Sequence, residues 1–139
     1  MNIQPIKKAF FSTLIMAAVE TSAPALAHGT DRPGPHGGYL AMPGAFHTEL
    51  VLDGKLARIY LLDIEFKNSV VANSRIDAVL NVAGRRVTLD CETKIENFEC
   101  RIPSRDAADL KSGSLVLTTK RAGVAALSDA VYDLPLKPW

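Results

Sequence analysis

The sequence predicts an all-β domain, an antiparallel immunoglobulin-like β-sandwich of about seven strands preceded by a signal peptide. Three observations lead there. Short segments such as residues 46–52 and 76–82 alternate apolar and polar side chains, the period of a strand with one buried face. The segments are separated by turn-forming sets, among them Pro43-Gly44-Ala45, Asp53-Gly54 and Ala83-Gly84-Arg85. A helix signal occurs only in residues 103–113. A small barrel uses the same alternation and is the main rival architecture.

Taken in order, residues 1–27 carry a basic end at Lys7 and Lys8, eleven apolar-rich residues from 9 to 19, and then Ala25-Leu26-Ala27. This is the layout of a secretory signal peptide, with cleavage expected after Ala27. The apolar run is too short to span hydrocarbon, which takes about 20 residues. Removing 27 of the 139 residues leaves 112, the size of one domain, with 14 basic and 14 acidic residues. A mature chain of zero formal charge with no basic block has no electrostatic footprint for nucleic acid or for a lipid surface. The expected compartment is the periplasm, with no membrane insertion after cleavage.

Residues 28–36 are rich in glycine and proline without apolar periodicity, and are expected to form a flexible arm before a domain at 37–139. Residues 39–42 and 46–52 flank Pro43-Gly44-Ala45 and read as a hairpin. In the second of these strands Phe46, Thr48, Leu50 and Leu52 share one face, the expected core face, and His47, Glu49 and Val51 the other, the expected solvated face. Residues 56–64 are apolar on both faces, as in a central strand; 65–73 form a polar connection with Val70 and Val71 as a short strand at most. Strands follow at 76–82 and 86–91. In residues 103–113 one or two helical turns are expected, with Ser104 as N-cap and Gly113 as terminator. Residues 114–120 and 130–136 supply the last strands.

The two cysteines, Cys91 and Cys100, both lie in the exported part. An oxidising compartment favours a structural disulfide. If residues 87–93 and 98–102 form a hairpin around 94–97, Cys91 falls directly opposite Cys100. A thiolate metal site wants closer spacing such as C-x-x-C.

No nucleophile elbow, phosphate loop or dinucleotide fingerprint occurs, so no catalytic function is expected. The candidate chemistry lies with His28, His36 and His47, all within the first twenty mature residues. After cleavage the amine and imidazole of His28 offer two nitrogens to one ion, a donor set suited to copper(II). His47 and Glu49 project from one strand face about 7 Å apart, with Met42 nearly opposite His47, so imidazole, carboxylate and thioether form a second candidate set. In a simple hairpin His36 lies near Asp53, too far from His47 to share an ion unless the arm folds back. The bland alternatives are a histidine left at a free end, a solvated His47–Glu49 pair and Met42 as filler.

The pattern His36-Gly37-Gly38, Gly44, His47-Thr48-Glu49-Leu50-Val51 and Ile59-Tyr60-Leu61-Leu62-Asp63 resembles a small exported β-sandwich domain of Gram-negative bacteria, found alone or fused near the membrane-fusion subunits of heavy-metal efflux pumps. The matching positions are His36, Gly37, Gly38, Gly44, Glu49, Tyr60 and Asp63. The resemblance implies a periplasmic role in handling copper, silver or zinc, with a copper or zinc ion as ligand and a periplasmic efflux subunit as partner. It brings no established ligand set, and the cysteine pair lies outside the pattern. A fainter similarity, resting on Ala27-His28, is to periplasmic copper-binding sandwiches whose mature chain begins with histidine.

These readings converge on a non-catalytic, metal-handling accessory protein. The alternative is a metal-independent interaction module that docks on an envelope complex through an exposed sheet edge.

Overall fold

Alternation and turn chemistry produce two antiparallel sheets that enclose one core. A computed structural model describes residues 32–138. The signal segment and His28 lie outside the described residues. About half of the described residues are in strands, and the one helix among them is a single turn.

The first sheet has the order β1-β2-β3-β7-β6, built from β1 (Tyr39–Ala41), β2 (His47–Asp53), β3 (Leu56–Leu62), β6 (Asp90–Thr93) and β7 (Phe98–Arg101). The second has the order β10-β8-β4-β5, from β4 (Arg75–Val82), β5 (Arg85–Thr88), β8 (Gly113–Arg121) and β10 (Ala130–Leu134). A two-residue strand, β9 (Val124–Ala125), pairs with β8 beyond an Ala122-Gly123 turn.

The expected segment 86–91 is two strands. Thr88 still pairs with Val79 of the second sheet, and the Leu89 amide bonds Ala78 O at 2.9 Å. The next residue, Asp90, pairs with Arg101 of the first sheet. The chain therefore changes sheets at Leu89, whose buried side chain stays in the core while its neighbours turn outward. Cys91 then stands directly opposite Cys100, and the two are disulfide-bonded.

The core takes Leu50 from β2, Ile59 and Leu61 from β3, Ala78 and Leu80 from β4, and Leu115 and Leu117 from β8. Alternation brings all of them to the inner faces. One polar link crosses this core. The Tyr132 hydroxyl of β10 lies 2.6 Å from the Thr48 Oγ1 of β2 and donates to Thr48 O at 3.0 Å. Burial pushes its pKa far above the usual tyrosine value, so the phenol stays protonated and available as a donor.

Residues 103–113 form less helix than expected. α1 spans Ser104–Ala107 only, its N-cap is Pro103, and the Ser104 hydroxyl accepts from Lys55 Nζ rather than capping. Proline has no side-chain acceptor and suits the start of a helix by its fixed φ. Gly113 does not end the helix but opens β8 at φ 113°, where any Cβ would strike Asn81 O. Asp106 in this turn is fully buried and accepts from Arg85 at 2.6 Å, which ties the turn to β5. No strand forms at Val70 and Val71.

Candidate functional site

The expected core face of β2 is the core face: Phe46, Thr48 and Leu50 are buried and Leu52 is partly so. The opposite face is not solvated. His47 is 5 % exposed and Glu49 0 %, because two segments outside the strands lie over the sheet. Those segments are residues 32–38 and 63–68, and they bring the histidines to different partners.

Residues 34–38 fold back in a tight turn, with Gly37 N bonded to Gly34 O at 2.9 Å and Gly34 N to Gly38 O at 2.8 Å. This corrects the expectation of His36 beside Asp53 in a simple hairpin. The turn sets His36 directly over Glu49. The Glu49 Oε1 accepts the backbone amides of His36 at 2.8 Å and Gly38 at 2.9 Å, and Oε2 lies 2.7 Å from His36 Nδ1. A carboxylate accepts and does not donate, so the Nδ1 proton points at Glu49.

Two glycines make this approach feasible. A Cβ on Gly38 would lie 2.6 Å from Leu50 O and 2.8 Å from the Glu49 side chain, and one on Gly34 would overlap the Glu49 carboxyl. Here the missing side chain matters through close packing rather than through an unusual backbone angle.

Tyr60 completes the arrangement. It pairs with Glu49 in the β2–β3 register, so both project from one face, and its ring stacks on the His36 imidazole with centroids 3.6 Å apart and planes 7° apart. Burial is the main cause that raises the Tyr60 pKa. His36 is thus fixed in tautomer by Glu49 and in plane by Tyr60, with a third of its side chain exposed. The nitrogen left for a ligand is Nε2.

His47 is held elsewhere. Its Nδ1 lies 3.1 Å from Asp63 O, and the Phe66 ring covers it with centroids 4.2 Å apart. The guanidinium of Arg32 sits 4.7 Å from the Phe66 ring centre on a cation–π contact. Phe66 reaches this position from a left-handed backbone, φ 63°, in a loop gathered around Asp63. The Asp63 carboxylate accepts from the amides of Lys67 and Glu65, both at 2.9 Å, and from Asn68 Nδ2 at 2.7 Å. Those bonds, led by the Lys67 amide, lower its pKa. Arg121 of β8 anchors the same loop through Leu61 O and Asn68 O.

The structure therefore joins His36 to Glu49 and keeps His47 apart from both. Met42 follows the last paired residue of β1 and is 45 % exposed. The set of His47, Glu49 and Met42 expected around one ion is not assembled: the Glu49 carboxylate is taken by His36 and two amides, and His47 lies under Phe66. Among the described residues no three His, Cys, Asp or Glu side chains gather as a metal-holding group. The stacking role of Tyr60 and the cover provided by Phe66 were not expected from sequence. The signal for the first was its register opposite Glu49, and none existed for the second.

No protein-family model matches the chain, and neither a curated protein nor a solved structure is significantly similar to it.

Proposed function

We propose that the chain is a non-catalytic metal-handling accessory protein of the periplasm, of immunoglobulin-like build, that holds a copper- or zinc-class ion through His36 and passes it to a periplasmic subunit of a heavy-metal efflux system. The observation that carries this reading is the Glu49–His36–Tyr60 arrangement. Metal-binding histidines commonly donate their second ring N–H to a carboxylate, which orients the ring and raises the basicity of the ligating nitrogen. Glu49 stands in that relation to His36, and a buried carboxylate spent on one exposed imidazole is a large local investment for a structural contact alone.

An ion held by one described imidazole keeps other coordination positions for water, for His28 or for donors of an acceptor protein. That suits transfer better than storage. A hydrolytic role lacks support, since among the described residues neither His36 nor His47 is hydrogen-bonded to a serine or threonine hydroxyl, and both cysteines are in a disulfide. Calorimetric titration of the purified mature protein with zinc and copper(II) tests the proposal. Binding at ~10 μM or tighter that is lost in His36→Ala is expected; binding absent, or unchanged in His36→Ala, removes the basis of the reading.

A metal-independent docking module is the second reading, favoured by Ile95 and Leu127, which stand 92 % and 91 % exposed at two turns. Capture of an envelope partner that persists under chelator would favour it over the first.

A further inference from the structure

His36 and Glu96 border an open cleft of about 470 Å³, whose other walls are Pro35, Leu62, Phe66, Lys67, Asn68 and Ser69. Resting on the reading of His36 as a metal ligand, we infer that Glu96 supplies the second protein donor across this cleft, and that the pair selects a divalent borderline ion, zinc(II) or copper(II), over a soft monovalent one.

Glu96 is at the tip of the β6–β7 hairpin, and that tip is fixed. Lys94 N bonds Asn97 O at 2.8 Å across it, the Cys91–Cys100 disulfide clamps the strands below, and the Ser69 hydroxyl donates to Glu96 O. The Glu96 backbone is thereby joined to the loop that forms the opposite wall. Its carboxylate makes no ion pair with any described residue. The nearby ammonium groups face other acids, Lys94 at 2.7 Å from Glu92 and Lys67 at 3.9 Å from Glu65.

The donor types decide the ion class. Imidazole nitrogen with carboxylate oxygen suits zinc(II) and copper(II), whereas copper(I) and silver(I) are selected by thiolate and thioether sulfur. No sulfur lines this cleft: both cysteines are oxidised, and Met42 is not among its walls.

The test titrates the mature protein with zinc(II) and, separately, silver(I), in wild type, His36→Ala, Glu96→Gln and Met42→Ala. Gln preserves the backbone link to Ser69 and replaces an exposed side chain, so thermal unfolding of Glu96→Gln should match wild type. The expected result is that Glu96→Gln weakens zinc at least about tenfold, the lower end of what even ligand-supporting groups contribute. Silver binds more weakly than zinc and ignores the Glu96 change. Zinc affinity unchanged in Glu96→Gln but lost in His36→Ala overturns the role of Glu96 while leaving His36 as the ligand. Silver binding tighter than zinc and weakened by Met42→Ala overturns the selectivity. Zinc affinity indifferent to His36→Ala sinks the underlying reading together with this one.

Discussion

Glu49 is the residue on which the site depends. Its carboxylate is fully buried yet accepts three hydrogen bonds, two from backbone amides and one from an imidazole. A buried acid survives only with such partners. Truncating it leaves the His36 and Gly38 amides without an acceptor, and Glu49→Ala is expected to lower stability by about 2–4 kcal/mol. Urea denaturation reads this as a fall in midpoint. Alternation in the sequence identified the face of Glu49 correctly, but period-two reasoning says only which side of a sheet a residue takes. Whether that side meets water depends on chain from elsewhere, and here the HGG turn covers it. The hint available was the pair Gly34 and Gly38 flanking His36, since small residues at both ends of a turn permit close approach to a neighbouring strand.

At the scale of elements, two hairpins and one loop show how turn chemistry was legible and where it was not. Ala83-Gly84 and Ala122-Gly123 both have positive φ at each position, 48° and 71° in the first and 46° and 85° in the second. Two-residue hairpin loops of this kind favour Asn-Gly, because asparagine tolerates the left-handed conformation better than alanine. Ala83→Asn and Ala122→Asn are each expected to stabilise by about 0.5–1 kcal/mol, read as a rise in Tm.

The loop after β3 depends instead on charge. Bonds to the amide of Lys67 first hold the Asp63 pKa below its ordinary 3.8. A carboxylate depressed on folding contributes stability that is complete above its unfolded value and lost as pH falls through its folded one. The loop, and with it the Phe66 cover of His47, should therefore loosen only below about pH 4. Amide exchange of residues 65–68 followed from pH 6 to pH 3 should show protection until that point, and Asp63→Asn should abolish the dependence. Loosening already complete at pH 5 would contradict the assignment. The Asp63 side chain was read from sequence as a sheet position; its function as the hub of a loop with left-handed residues at Phe66 and Asn68 has no periodic signature.

For the whole molecule, the all-β class, the antiparallel hairpins and the cysteine pairing were legible because strand period, turn residues and the opposite placement of the two cysteines in a hairpin are all local. The exchange of sheets at Leu89 was not, since residues 86–91 read as one continuous strand and only packing against both sheets separates Arg85–Thr88 from Asp90–Thr93. The Tyr132–Thr48 link between sheets was equally silent: it joins residues 84 apart in sequence. Tyr132→Phe deletes one hydroxyl from a closed interior and leaves Thr48 groups without their partner. A loss of about 1–2 kcal/mol is expected by thermal unfolding, with the His36–Glu49 contact unchanged because the link lies on the inner face.

Glu49 holds the His36 ring through Nδ1, and on the proposed reading Nε2 is the nitrogen that meets a metal ion. The most direct measurement is long-range proton–nitrogen correlation of the imidazole rings in uniformly labelled protein during zinc titration. The expected result is His36 protonated at Nδ1 before zinc is added, a shift of its Nε2 as the ion binds, and an unmoved His47. A His36 ring that averages between tautomers, or that stays unchanged while His47 shifts, would contradict it.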